Sequence, residues 1–190
     1  MARKILLLVT LLLVAVGAIC GLAVATKTYS DRAGDVKGGG GPDITSITLS
    51  NTSSTLTFRV GFASAPPLRA STPQKWVDML LIGIDVPPIG PIPASPGGDW
   101  LGADFALGTH GPSQTGQLVR LGKKHPALPI KFRIVTQGRT LRFSIPRRSL
   151  GNPRSFTFSV AAAREGESQA TGGGLDVAPQ HGTFRYIFHA

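Results

Sequence analysis

The stretch Trp76-Val-Asp-Met-Leu-Leu-Ile-Gly-Ile-Asp85 is short, almost entirely apolar and followed by proline and glycine. These features favour a β-strand over a helix, since a helix of this kind would be longer and would alternate with a period of 3.6 residues. We therefore predict that residues 77–84 form a strand buried on both faces. This strand should lie at the centre of the fold.

The segment after this strand is the first candidate for a binding loop. Residues 86–98 contain five prolines and three glycines, so they should be extended and irregular. Long loops of this kind often carry function. An indole ring offers a flat face to a sugar ring, and a nearby carboxylate accepts hydrogen bonds from its hydroxyls. Trp100, Asp99 and Trp76 are therefore candidate ligand-binding residues, although Trp76 could instead pack in the core.

Period-2 alternation recurs through the rest of the chain. It predicts two hairpins, 44–50 with 55–62 and 131–137 with 139–145, and further strands at 105–109, 117–121, 155–163 and 183–189. No segment after the N-terminal region has a helical period. About nine short strands separated by turn residues predict an all-β fold, an antiparallel β-sandwich of jelly-roll type.

The N-terminal region has the features of a targeting segment. Arg3 and Lys4 precede an uncharged run that ends in Ala23-Val24-Ala25, so residues 1–25 are predicted to be a signal peptide, or else an uncleaved anchor. Residues 26–43 are predicted to be a flexible, glycine-rich segment, and residues 44–190 a single domain. The one cysteine lies in the predicted signal peptide, which excludes thiol chemistry and disulfides in the mature chain and suits bacterial export.

Charge is distributed unevenly. The chain has 20 Lys and Arg against 10 Asp and Glu, and every charged residue from 105 to 164 is basic. The polar face of the second hairpin carries Lys131, Arg133 and Arg142. Outside the cell such a face suits an anionic envelope polymer, phospholipid or acidic polysaccharide, or it serves only to keep the protein soluble.

Several short motifs, in this order, resemble those of bacterial exported DOMON-like domains and family 9 carbohydrate-binding modules. They are Asp31-x-x-Gly34-Asp35, Pro42-Asp43-Ile44, Leu56-Thr-Phe-Arg-Val60, the strand ending at Asp85, Leu101-Gly-Ala-Asp104-Phe, Leu150-Gly-Asn152 and Leu175-Asp-Val-Ala-Pro179. The resemblance covers most of the chain after residue 25. It implies a jelly roll that binds carbohydrate.

The resemblance also implies a calcium site that holds the N-terminal segment against the domain. The matching positions are Asp31, Asp35, Asp85 and Asp104, and carboxylates converging from distant segments are the oxygen ligands that calcium takes. The chain departs from the pattern at Gly83, where an acid would be expected. The alternative is that these aspartates accept hydrogen bonds from backbone amides in turns.

Catalytic patterns are not visible in the sequence. The four histidines have no zinc-ligand spacing, no Gly-x-Ser-x-Gly elbow is present, and nothing selects a pair of carboxylates for glycoside hydrolysis. We therefore expect an exported, non-catalytic module that binds extracellular polysaccharide or an anionic envelope polymer, and that does not bind nucleic acid. A membrane would be a partner only through an uncleaved N-terminus. The alternatives are a structural envelope protein that uses its basic face and, less favoured, a hydrolase.

Overall fold

The computed structural model describes residues 25–38, 40–64, 76–87, 103–110, 114–121, 129–166 and 174–189. It describes the backbone alone for residues 76, 77, 110, 165 and 166.

Eleven strands and one short 3-10 helix make up the described chain. The strands are β1 (Ala25–Ser30), β2 (Ile44–Asn51), β3 (Thr55–Phe62), β4 (Trp76–Asp85), β5 (Phe105–His110), β6 (Thr115–Arg120), β7 (Ile130–Gln137), β8 (Thr140–Pro146), β9 (Ser155–Gly166), β10 (Leu175–Ala178) and β11 (Phe184–Ile187). The helix, Arg147–Leu150, ends at Gly151, whose φ of 81° is the left-handed conformation that glycine adopts without strain.

All pairings in the sheet are antiparallel, in the order β1-β2-β3-β8-β7-β6-β5-β4-β9-β10. β11 pairs with the first residues of β9. It lies on the same edge of β9 as β10, which pairs with later residues of that strand. The predicted all-β antiparallel sandwich is therefore confirmed. Both predicted hairpins are present, as β2–β3 and β7–β8.

The sheet folds over so that its two halves enclose one core. Five phenylalanine and tyrosine rings from both halves meet in ring contacts at the centre, namely Phe58, Phe143, Phe156, Phe158 and Tyr186. All five side chains are at most 2% exposed. Burial of such large rings is the main contribution to stability in a domain of this size.

The two ends of the strand order also approach each other. The Tyr29 hydroxyl of β1 donates a hydrogen bond to the Arg185 carbonyl oxygen of β11 at 2.6 Å, and its ring contacts Phe184. Lys37 and Leu175 form a two-way backbone bridge nearby. The sheet is consequently almost closed, like a barrel.

Three details differ from the sequence predictions. Residues 26–43 are not a loop throughout, because β1 pairs with β2 over six residues, and the backbone of Gly41 lies against Gly174. β10 was not predicted at all. β4 is central, but only its inward side chains are fully buried; Met79 and Leu81 on the other face are half-buried. Within the described residues, none of the helical structure is long and apolar enough to cross a membrane.

Candidate metal centre and binding surfaces

Three carboxylates from distant parts of the chain meet beside the closing edge of the sheet. Asp31, Asp35 and Asp176 each place one oxygen so that all three oxygens lie within 4.8 Å of one another. Asp43 lies close enough for its charge to act on both Asp31 and Asp176. We call these four residues the acidic cluster.

The backbone around the cluster explains why these carboxylates converge. Asp31 follows β1 directly, and its amide donates to the Thr45 carbonyl oxygen at 3.0 Å. The chain then turns at Gly34, which has a φ of 84°, and the Gly34 amide donates to Oδ2 of Asp43 at 2.8 Å. Asp176 lies on β10, at the other end of the strand order from β1.

Each carboxylate of the acidic cluster is held by one donor. Oδ2 of Asp176 accepts from the Ile44 amide at 2.5 Å, and Oδ2 of Asp35 accepts from the Gln180 side chain at 2.6 Å. Oδ2 of Asp43 accepts from Gly34, and the Asp31 carboxylate accepts from the Arg32 amide. The side chains are thereby fixed in orientation.

The second oxygen of every carboxylate in the cluster is buried and has no hydrogen-bond partner. These atoms are Oδ2 of Asp31 and Oδ1 of Asp35, Asp43 and Asp176. Asp176 is the most enclosed of the four, with 1% of its surface exposed. A buried carboxylate oxygen without a partner is costly, because it has lost its water without replacement. Such oxygens are suited to contact a cation.

Electrostatics agree with this interpretation. Burial raises the pKa of Asp176 to about 6, with a smaller contribution from the negative charges of Asp31, Asp35 and Asp43, although the Ile44 amide acts in the opposite direction. Burial also raises the pKa of Asp31, and Asp35 adds to that increase. Carboxylates that repel one another in this way are the groups that a divalent cation neutralises.

The donor set fits a hard cation. Calcium takes six to eight oxygens, usually from carboxylates, backbone carbonyls and water, and tolerates irregular geometry. The converging atoms are carboxylate oxygens, without nitrogen or sulfur, a set that suits calcium and not zinc. Asp31, Asp35 and Asp176 would hold the ion, and Asp43 would add its charge beside them. The ion would tie the segment after β1 to β10.

Asp85 and Asp104, the other two predicted calcium ligands, form a separate pair. The charge of Asp85 acts on Asp104, Oδ2 of Asp104 accepts from the Val86 amide at 2.8 Å, and Oδ1 of Asp104 is buried without a hydrogen-bond partner. The side chain of Asp104 is fully buried, and burial raises its pKa, with a further increase from Asp85. Asp104 thus has the turn-stabilising contact that was the alternative to metal binding.

The predicted sugar platform cannot be placed in full. Asp99 and Trp100 lie outside the described residues, and for Trp76 the backbone at the start of β4 is described without its side chain. The outer face of β4, β5 and β6 forms an open hollow of about 470 Å³. It is lined by Met79, Leu81, Ala106, Gly108, Thr109, Thr115, Gln117 and Val119.

The predicted basic residues lie on the outer face of the first half of the sheet. Lys131, Arg133 and Arg142 are all exposed. Arg59 of β3 is exposed as well and lies directly opposite Arg142 of β8. Sequence reasoning missed Arg59 because its strand pairs with β8 across a long stretch of chain. The alternation of Thr57, Arg59 and Gly61 on the polar face was the available signal.

Sequence reasoning also missed Asp43 and Asp176 as candidate ligands. Both stood in motifs that carried the family resemblance, Pro42-Asp43-Ile44 and Leu175-Asp-Val-Ala-Pro179. What the sequence could not show is that β10 returns beside the start of β2, which places the Asp176 carboxylate at the Ile44 amide.

No protein-family model matches the chain, and no curated protein matches it.

Proposed function

We propose that this protein is an exported, non-catalytic β-sandwich module that binds calcium at the acidic cluster and an extracellular carbohydrate or cell-envelope polymer at its surface. The observation that carries the proposal is the acidic cluster, in which four carboxylates from two distant segments each have a buried oxygen without a partner. The bound ion has a structural role. It neutralises the cluster and fixes the segment between β1 and β2.

The resemblance to DOMON-like domains and family 9 carbohydrate-binding modules belongs to the same proposal. It is supported by the all-β antiparallel fold and by the fact that three resemblance motifs contribute residues to the acidic cluster. The hollow on β4 to β6 supports ligand binding, because it combines the apolar side chains of Met79 and Leu81 with the polar groups of Thr109 and Gln117. Such a mixture suits the apolar and hydroxyl faces of a sugar ring.

A hydrolase is a weaker proposal. The carboxyl pair that the structure describes, Asp85 and Asp104, consists of groups in mutual contact, and Asp104 is fully buried. Glycoside hydrolysis needs two carboxyl groups at least about 5 Å apart with the sugar between them. This pair does not have that geometry.

Direct binding measurements test the two halves of the proposal separately. Titration calorimetry of the chelator-treated protein with calcium should show about one ion per chain, and Asp176→Asn should abolish the binding while Asp85→Asn leaves it intact. A glycan array tests the polymer. Binding of one or more glycans, weakened by Trp100→Ala, is expected; an array without any signal contradicts the polymer half of the proposal.

A further inference from the structure

The outer face of the first half of the sheet carries positive charge without compensation. The strands β1, β2, β3, β7 and β8 contain five Lys and Arg residues and no Asp or Glu. The described aspartates lie elsewhere, in the acidic cluster, in the Asp85–Asp104 pair, and at Asp78, which is paired with Arg164. No carboxylate on these five strands therefore competes with a bound anion for the basic side chains.

Two of these charges are directly opposed. Arg59 and Arg142 are Cα partners in the β3–β8 pairing, so their side chains leave the same face on adjacent strands. Side chains at opposed positions begin only about 5 Å apart, and like charges there destabilise a sheet. A face that only needed charge for solubility could scatter its arginines and avoid this repulsion. The opposed pair instead suits a bridging anion.

A third arginine completes the arrangement. Arg133 of β7 and Arg142 of β8 line one hollow of about 360 Å³, together with Val135, Gln137, Phe143 and Ser144. A guanidinium group binds a carboxylate or a sulfate with two parallel hydrogen bonds. Three guanidinium groups on neighbouring strands can thus contact successive anionic groups along a polymer.

Hydroxyl groups surround the arginines. Thr48 is opposite Arg59 on one side, and Thr57 is opposite Ser144, with their hydroxyl oxygens 2.8 Å apart. Thr28 and Thr48 extend the pattern towards β1 with a hydroxyl contact of 3.0 Å. Threonine and serine hydroxyls both donate and accept hydrogen bonds, which matches the hydroxyls of a sugar chain.

The same face is poorly suited to a membrane or to nucleic acid. Membrane surfaces are bound by basic residues combined with large apolar side chains that insert, and single-stranded nucleic acid is bound by exposed aromatic rings. Among the described residues of these five strands, the exposed large apolar side chains are Ile130 and Val135, and no aromatic side chain is exposed.

We infer that the outer face of β2, β3, β8 and β7 binds an anionic polysaccharide, with Arg59, Arg133 and Arg142 contacting its carboxylate or sulfate groups. The inference rests on the proposed function only in taking the ligand to be an extracellular polymer. It names the ligand class and a surface, and it uses neither the acidic cluster nor the hollow on β4 to β6.

The test measures binding of the full chain to hyaluronate, dextran sulfate, neutral dextran and vesicles of phosphatidylglycerol. Binding to the two anionic polysaccharides is expected, with no binding to dextran, and it should weaken strongly between about 0.05 M and about 0.5 M salt. The double variant Arg59→Gln/Arg142→Gln should lose about tenfold or more in affinity. Its melting temperature should be unchanged or higher, because the like-charge repulsion is gone.

The matched control is Arg148→Gln/Arg154→Gln, which removes the same charge from exposed positions near the 3-10 helix. It should change affinity by less than about twofold, since distant exposed charges are screened. Equal losses in both double variants would overturn the inference, because binding would then follow net charge. Binding to vesicles and not to polysaccharide would also overturn it.

The experiment distinguishes failure of this inference from failure of the proposed function. If no anionic polysaccharide binds while a neutral glycan or calcium does, the inference is wrong and the proposed function stands. If Arg59→Gln/Arg142→Gln keeps full affinity for hyaluronate, another surface binds the polymer and the inference is again wrong.

Discussion

The amide of Ile44 donates a hydrogen bond to Oδ2 of Asp176, a residue 132 positions later in the chain. This contact joins the first residue of β2 to β10 and lies beside the acidic cluster. It leaves the other oxygen of Asp176 buried, without a partner and facing the charges of three further aspartates. One carboxylate thus joins the two ends of the sheet and is also a ligand in the proposed calcium site.

The first prediction concerns pH in the absence of metal. The pKa of Asp176 in the folded protein is about 6, above its ordinary value of 3.8, so the folded state binds this proton more tightly than the unfolded state. The contribution to stability is fully present below pH of about 4 and is lost as pH rises through about 6. Melting temperatures of chelator-treated protein across this range should therefore fall with pH, in addition to any change from other groups.

Asp176→Asn isolates that contribution. An asparagine can still accept from the Ile44 amide but carries no charge, so the metal-free variant should melt higher than the parent at pH 7, by roughly 2–4 °C for each kcal/mol that burial and repulsion of the charge had cost. The difference should vanish near pH 4. Asp85→Asn serves as control and should keep the parent's dependence on pH. A metal-free Asp176→Asn protein that melts lower at pH 7 would contradict the electrostatic account.

The second prediction concerns the buried charge of Asp78. Arg164 donates from Nε to Oδ1 of Asp78 at 2.8 Å and from Nη2 to Oδ2 at 3.3 Å, while its Nη1 donates to the Gly40 carbonyl oxygen. Asp78 is 2% exposed. Arg164→Met would leave an uncompensated buried carboxylate, and it should lower the free energy of unfolding by about 3–5 kcal/mol in urea titrations.

Two further variants test whether the loss of stability comes from the Asp78–Arg164 ion pair. Asp78→Asn/Arg164→Met should lose less stability than Arg164→Met alone, because no buried charge remains. Arg148→Met, at an exposed position, should change stability by less than about 0.5 kcal/mol. A double variant as unstable as the single one would show that the arginine acts through its other contacts.

The third prediction compares two tyrosine hydroxyls. The Tyr186 hydroxyl donates to Oδ1 of Asn51 at 2.7 Å, and Asn51 is 2% exposed. The Tyr29 hydroxyl donates to the Arg185 carbonyl oxygen, which also accepts from the Lys27 side chain. Tyr186→Phe should therefore cost about 1–3 kcal/mol, and Tyr29→Phe less than about 1 kcal/mol. Chemical denaturation of both variants checks the order, and equal losses would contradict it.

Much of the fold could be predicted from period-2 alternation. The β2–β3 and β7–β8 hairpins show it because each has one face of large apolar residues, such as Phe58 and Phe143. β1 could not be found this way, because Tyr29 is its one large apolar residue. β10 could not be found because four residues are too few to show the alternation. The apolar composition of β4 suggested burial on both faces, whereas Met79 and Leu81 line an open hollow.

The candidate site could be predicted only in part. The family resemblance pointed to two of its carboxylates, Asp31 and Asp35, which lie on either side of the turn at Gly34. Asp43 lies beside them through its hydrogen bond from the Gly34 amide, whereas Asp176 joins them through the return of β10 to the start of β2, a contact between residues far apart in sequence. Asp85 ends β4 and Asp104 precedes β5, away from the cluster, and Oδ2 of Asp104 accepts from the Val86 amide.

The central claim is that the acidic cluster binds calcium, and the calcium-induced shift in melting temperature tests it most directly. A ligand at about a hundred times its Kd adds about 2.7 kcal/mol, which corresponds to a shift of roughly 5–10 °C for a domain of this size. We predict that shift for the parent and for Asp85→Asn, and its loss in Asp176→Asn. No shift in the parent at millimolar calcium, or an undiminished shift in Asp176→Asn, would contradict the account.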